Sequence, residues 1–419
     1  MKRIYCFSIA ICMLTSLSAQ INNNFKKMYE TADNFIYKEN YIDALPYFKK
    51  LNELDTNNSN IHFYLGLCYL NSFSEKDKAL QYLEKASQNV STNYYGNFNE
   101  TSAPVFTYYY LGKAYFFDYK FDLARENFEK FKYYLTSEDK ELLKDAQRQI
   151  ELTYNAKNLI ENPIKFKFTN LGDSINSKYP DYAPVMSPDQ TFFIFTSRRE
   201  GSKGNKKDAK GKYFEDIYYA NYDKSTNSFS DVKPIPGNVN TNGHEASISI
   251  SLDGSSLFIY RDDNGDGNIY ISYNENGKWT SAVKLGNDIN TKYYENHACL
   301  APDGETLYFV SDRPGGFGGK DIWTAKRIGK NNWGQIQNLG HKINTEYDEE
   351  SPMILADGKT MYFSSKGHDC MGGYDIFYSI FENGEWSTPR NIGYPLNTVY
   401  DEVFSPQQLT EKKHILQQT

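Results

Sequence analysis

The sequence predicts an α+β multidomain protein, in which stacked helical pairs precede an all-β repeat. Between Phe25 and Pro163 apolar residues recur at helical spacing inside a longer repeat, whereas after Pro163 the apolar period switches to two. The second half also steps regularly: Asp253, Asp303 and Asp357 open equivalent turns 50 and 54 residues apart. Three segments follow, 1–19, 20–162 and 163–419.

The first, "MKRIYCFSIAICMLTSLSAQ", has two cations, a short apolar run and small residues up to Ala19. This is the pattern of a secretory signal peptide, too short to span a bilayer stably. No cysteine stands just after the expected cleavage, so no lipid anchor is indicated there. Cys68, Cys299 and Cys370 remain, an odd and widely spaced set that makes neither a disulfide framework nor a zinc signature. They are expected to fill cores or loops. A net charge of −7 argues against nucleic-acid or anionic-membrane surfaces, and protein or glycan partners suit it better.

In the second segment, three sets of positions match one another. They are Ala32, Phe35, Ala44, Phe48 and Leu51; Leu65, Gly66, Tyr69, Ala79, Leu83 and Ala86; and Leu111, Gly112, Tyr115, Ala124, Phe128 and Phe131. The small residues Ala32, Gly66 and Gly112 fall where the first helix of a pair must approach the second. The sets resemble the tetratricopeptide repeat, a helix-turn-helix unit that buries its apolar face by stacking on its neighbours. The resemblance implies a concave groove for an extended peptide or partner helix. The family's first-helix Trp is absent, and a Tyr-rich insert, "STNYYGNFNETSAPV", separates the last two repeats. A polar-faced helix ending at Pro163 caps the stack.

In the third segment "TFFIFTS", "SSLFIYRD", "TLYFVSD" and "TMYFSSK" read as strands, each after an Asp turn at Asp189, Asp253, Asp303 or Asp357. A second strand begins at Asp216, Asn268, Asp321 and Asp375. An aromatic follows at Phe229, Trp279, Trp333 and Trp386, and Asn-Thr or Asn-Ser closes each unit at Asn176, Asn240, Asn290, Asn344 and Asn397. A period near 50 with about four short strands is the signature of a β-propeller blade. Four complete units are present. "IKFKFTNLGDSIN" ahead of them matches their closing strand, so ring closure calls for inner strands from a later blade.

"SPDQTFFIFTSRREG", "APDGETLYFVSDRPGGFGGKDIW" and "MYFSSKGHDCMGGYDIFYS" resemble the TolB-type, WD-repeat-like blade. The order of signal, tetratricopeptide array and propeller is similar to PorE/OmpA-family envelope proteins of the Bacteroidetes. That resemblance implies an exported periplasmic or outer-membrane-associated scaffold for protein interactions, in type IX secretion or envelope assembly. The sequence lacks the family's OmpA-like domain and lipoprotein cysteine, so peptidoglycan binding would return only with that domain. The tail "YDEVFSPQQLTEKKHILQQT" starts like a fifth unit and then leaves the pattern. With suitable codons, a one-base shift turns 407–419 into "PTADGKKTYFAAN", which restores the turn and strand of "LADGKTMYFSS". A broken fifth blade is the expectation.

Candidate chemistry is thin. Asp262, Asn264 and Asp266 fit the first half of a calcium loop, whose oxygens converge on a hard cation, but Tyr273 stands where the bidentate Glu belongs. A polar turn is the simpler reading, with no cofactor. "SYNENGKW" is one residue too long for a sialidase Asp-box and has Asn274 in place of its Asp. His62, His244, His297, His341 and His368 occupy unrelated repeat positions. "RPGGFGGKD" lacks the ending of a phosphate loop and reads as a hairpin using glycine's backbone freedom. No catalysis is expected. The alternative, a propeller glycoside hydrolase or glycan binder, would require loop carboxylates clustered in one central pocket.

Overall fold

The computed structural model describes residues 23–403 except 73–74, 167, 169, 209–210 and 264. The expected signal peptide, the altered tail beyond 403 and Asn264 therefore lie outside the described residues. The chain divides into two compact units between Lys157 and Asn158.

Seven helices of 8 to 22 residues build the first unit, among the described residues: α1 (23–37), α2 (Tyr41–Leu54), α3 (Ser59–Leu70), α4 (Ala79–Ala86), α5 (Phe106–Phe117), α6 (Phe121–Tyr134) and α7 (Lys140–Glu161), whose last residues fall past the division. Asn40 and Asn58 cap α2 and α3, each side-chain oxygen accepting an amide three residues on. From α2 to α6, each helix packs on the next. The small residues mark the crossings: a Cβ on Gly66 would fall 2.4 Å from Leu83 Cγ, and one on Gly112 2.7 Å from the Phe128 ring. Ala32, Ala44, Ala79 and Ala124 have no exposed surface. Close approach, rather than helix propensity, selects these residues.

Helix α3 is buried along its whole length. Part of its cover is the Tyr-rich insert, which opens and closes on the short parallel pair β1 (Val90–Ser91) and β2 (Ala103–Pro104). Tyr94 donates to Asn60 Oδ1 at 2.6 Å, Asn60 Nδ2 donates to Tyr29 at 2.9 Å, and the Ser59 amide donates to Thr101 O at 3.0 Å. The insert is thus packed onto α1 and α3 and is more than a spacer between repeats.

Four antiparallel sheets form the second unit. The first holds β3 (Asp181–Met186), β4 (Phe192–Ser197), β5 (Asp216–Asp223), β6 (Ser228–Phe229) and β7 (Lys233–Pro234). The second holds β8 (Glu245–Ile250), β9 (Ser256–Arg261), β10 (Asn268–Glu275), β11 (Lys278–Trp279) and β12 (Val283–Lys284). The third is β13 (Ala298–Leu300), β14 (Thr306–Ser311), β15 (Asp321–Arg327) and β16 (Trp333–Asn338). The fourth is β17 (Glu349–Ile354), β18 (Thr360–Ser365), β19 (Asp375–Glu382), β20 (Glu385–Trp386) and β21 (Arg390–Asn391). The first strands adjoin in the order β3, β8, β13, β17, which sets the sheets as four blades about an axis. Between blades the cores are aliphatic and aromatic; Trp279 packs with Val185 and Ile194, and Trp333 with Phe258 and Phe309. Burying such a side chain contributes about 2–3 kcal/mol.

The head of the segment that matches a closing strand meets the fourth blade at Ile164, and no strand is formed by its described residues. Ile164 donates its amide to Tyr394 O at 2.8 Å. At the other end, residues 397–403 repeat the opening of a blade, as the bonds of Asn397, Thr398 and Glu402 below make plain.

Candidate functional site

One device recurs in every complete blade connection. Asn240, Asn290, Asn344 and Asn397 each accept the amide of the first Ile of a third strand and donate back to that strand, save that Asn290 also reaches Leu285 O. The return bonds run to Ile217 O, Ile269 O, Ile322 O and Ile376 O at 2.8–2.9 Å. The next residue, a Thr, gives its amide and hydroxyl to a carboxylate four positions on: Glu245, Glu295, Glu349 and Glu402. A side chain thereby does the work of a turn. These carboxylates are spread around the ring as blade fasteners.

Their neighbours along the chain converge. Tyr182, Ala246, Asn296, Glu350 and Val403, each just after a capping acid (Asp181 in the first blade), line one axial cavity of about 260 Å³. Ala183, Ser247, Ile248, Tyr260, Tyr294, His297, Ser351 and Asp401 complete its wall. In β3, β8 and β17 the strand register shifts at this level. Ala183 and Ser351 sit in those bulges with φ of 49° and 53°, a left-handed conformation that costs an L residue energy. Their backbone is held there by the packing of adjacent blades rather than preferred locally.

The cavity is acidic and aromatic. Glu350 accepts both oxygens' bonds from Asn296 Nδ2, at 2.8 and 2.9 Å, and lies 2.5 Å from Lys320 Nζ. Lys320 also sits 5.1 Å from the Tyr294 ring centre. The Tyr260 and Tyr294 hydroxyls are 3.1 Å apart. Asp401 Oδ1 accepts the Tyr374 amide at 2.9 Å. Burial drives the His297 imidazole down to about 3, so it stays neutral at ordinary pH. None of these residues was singled out as a site in the sequence; the signal was there, in the position following each capping acid.

Burial also pushes Glu349 up to about 7 and Glu402 up to about 8, although Thr donors bond both. Glu295, by contrast, has Arg313 within 3.3 Å and Glu245 has Arg261 at the same distance. For a carboxyl raised above its unfolded value near 4.5, the folded state holds the proton longer, so stability falls as pH climbs through the folded value. His297 acts oppositely only below 6.5. The unfolding free energy is therefore expected to decline from pH 6.5 to 8.5, and Glu402→Gln should flatten that slope in urea titrations; an unchanged slope would remove Glu402 as its source.

Two of the three calcium candidates, Asp262 and Asp266, lie among the described residues. Asp262 accepts the Gly265 amide, Asp266 accepts Asn268 Nδ2 at 2.9 Å, and Asp263 between them takes the Tyr270 hydroxyl at 2.5 Å. Each is engaged as a turn residue. Ca²⁺ is expected to leave the melting temperature unmoved, and a rise abolished by Asp262→Ala would reverse that reading. Cys68, Cys299 and Cys370 are buried thiols outside any disulfide among the described residues, and burial pushes Cys68 up to about 12 and Cys299 up to about 11. Buried, protonated thiols are inert.

The glycine-rich loops correct a reading. In "RPGGFGGKD" only Gly315 is left-handed, at φ 95°. Gly318 and Gly372 are there because a Cβ would lie 2.3 Å from Tyr347 O and from Thr398 O respectively. Close backbone approach between neighbouring loops, not φ freedom, fixes them. A Lys-rich loop also escaped notice: Lys203, Lys206, Lys207 and Lys212 follow Arg198 and Arg199, so the chain does carry a local cluster of cations.

The second unit is thus a β-propeller with four complete blades. No family model and no curated protein sequence matches the chain. Solved structures similar to it include TolB from Acinetobacter baumannii, at 21% identity and a TM-score of 0.33, covering 52% of this chain and 46% of that one. A TolB from Agrobacterium tumefaciens follows at 16% and 0.35, covering 52% and 68%. A "putative 6-phosphogluconolactonase" from Bacteroides uniformis gives 13% and 0.30, covering 53% and 74%. The chain spans less than half the length of the Acinetobacter protein. Among the described residues no helix is long and apolar enough to cross a membrane.

Proposed function

We propose that the chain is a non-enzymatic scaffold of the cell envelope, exported to the periplasm and associated with the outer membrane, that holds partner proteins. In this reading its helices are a tetratricopeptide array, its propeller is of the TolB type, and its setting is type IX secretion or envelope assembly in the Bacteroidetes. One observation supports it most: the repeated loop acids are consumed as blade fasteners, and the two acids at the cavity already hold internal donors. A hydrolase would instead need a carboxylate pair free to face a sugar.

A tagged full-length chain should capture a defined partner from envelope extracts. Reversing the exposed charges of α1, at Lys26, Lys27 and Glu30, should weaken capture through the array while far-UV circular dichroism stays unchanged. Capture of nothing above background would end the scaffold reading. The second reading, a glycan binder or hydrolase, is favoured only by Glu350 and Asp401 lining one cavity. Release of nitrophenol from aryl glycosides, lost in Glu350→Gln, would establish it.

A further inference from the structure

We propose that the junction between the third and fourth blades is a pH-sensitive seam, where His368 stands in a slot that arginine fills in the first three blades, so that the seam holds on the acid side of neutrality and loosens on the alkaline side. One arrangement defines the slot. Arg199, Arg261 and Arg313 each donate to the carbonyl just before a unit-closing Asn, at Ile175, Val239 and Ile289, over 2.6–2.9 Å. Each also faces the capping acid of its blade, Asp181, Glu245 or Glu295, at 2.9–3.3 Å. Their guanidinium groups lie on aromatic rings: Phe195 and Tyr218, Tyr270, and Phe309 and Trp323. In the fourth blade the equivalent carbonyl, Ile343 O, pairs with His368 Nε2 at 2.9 Å, and the imidazole sits against Phe363 and Phe377, the counterparts of Phe309 and Trp323. Position 367, which matches Arg313, is closed to a side chain, since a Cβ on Gly367 would fall 2.2 Å from Thr345 Oγ1. Because a carbonyl only accepts, Nε2 carries a proton, and such a ring becomes a cation only when its second nitrogen is protonated too, near pH 6.5 for an ordinary imidazole.

Glu349, the capping acid of this blade, has no exposed surface and no ion pair to a described residue. Its oxygens accept from Thr345 and Ser365. The charges around it do not replace an arginine. Asp321, at the head of β15, repels it; Asp348 and Glu350, on either side of it, hold Lys366 and Lys320 for themselves. Asp312, just past β14, accepts the Tyr294 amide, Asp375, at the head of β19, bears on Glu402, and Asp369, beside His368, is exposed. Above neutrality the seam therefore buries an anion with no permanent cation opposite, a costly arrangement. Both groups carry the same sign. Burial raises Glu349 to about 7, so the stability of its protonated form is lost as pH climbs through that value, and a histidine that gains an anionic partner on folding also loses its contribution as pH rises.

The test is hydrogen–deuterium exchange of the full chain, with protection of β17 and β18 read against β8 and β9 at about pH 6 and about pH 8.5 after correction for intrinsic exchange. In the wild type, protection of β17 and β18 should fall at least about tenfold more than that of β8 and β9, the factor given over this interval by a carboxyl held at about 7 and released to 4.5. His368→Arg supplies a permanent cation and should cut that fall about fivefold or more, as should Glu349→Gln, which removes the charge and keeps an accepting oxygen. Glu402 is the same in every chain compared, so the difference between them belongs to the slot. Conversely, Arg313→His should confer a comparable fall on β13 and β14, where the wild type should show none. A full fall persisting in His368→Arg, an equal fall in β8 and β9 of the wild type, or an Arg313→His chain whose β13 and β14 stay protected on the alkaline side overturns the proposal.

Discussion

Asn344→Ala is expected to lower the unfolding free energy of the propeller by roughly 3 kcal/mol, since two buried main-chain groups lose their partners at about 1–3 kcal/mol each. Asn344 is 1% exposed, and its amide closes on both the N–H and the carbonyl of Ile322. Alanine offers neither. The cost falls where water cannot compensate, in the core of the third blade. The matched control is Asn176, which is exposed and whose side chain donates to Asn170; its alanine variant should change stability by no more than about 0.5 kcal/mol. The chain's four tryptophans, Trp279, Trp323, Trp333 and Trp386, all lie in the propeller, so their fluorescence in urea follows this unit alone. Equal midpoints for the two variants would show that the bracket is dispensable.

The second large effect is expected from Gly318→Ala. The added methyl carbon would fall 2.3 Å from Tyr347 O and 2.6 Å from both Thr345 O and the Glu346 carbonyl carbon. All three are main chain, held by the Thr345–Glu349 cap, so relief requires the connection into β17 to move. A loss of about 3 kcal/mol follows, at the upper end for overpacking. Gly304→Ala separates this cause from backbone strain. Gly304 has φ 70° with nothing near its absent side chain, so its variant should lose only about 1 kcal/mol. If Gly304→Ala proved the worse of the two, φ freedom rather than close approach would rule these turns.

Much of the fold was legible because repetition amplifies a weak local signal. A single "DGKTMYFSS" is an ambiguous apolar run, but four equivalent turns, the last three stepping by 50 and 54 residues, identify turn, strand and blade together. The small residues at Gly66 and Gly112 were legible for a similar reason, since a helix crossing needs them once per pair. The Tyr-rich insert was not. Its role depends on Tyr94 reaching Asn60, 34 residues away, and no periodicity encodes that. The glycine loops were placed correctly but explained only in part, Gly315 using φ freedom and Gly318 and Gly372 close approach, because φ and the distance to the next loop are both properties of the folded chain.

The candidate site divides along the same line. By itself the sequence determined where each blade begins, which acid caps it, and hence which residue follows the cap, because local spacing along the chain is all those features need. Only the tertiary structure decided that Tyr182, Asn296, Glu350 and Val403 meet around one axis and that Asn296 turns its oxygen away from Glu350. The capping bonds span four residues and are written in the local sequence, whereas the cavity joins positions more than 200 residues apart, whose proximity exists only once the blades have packed.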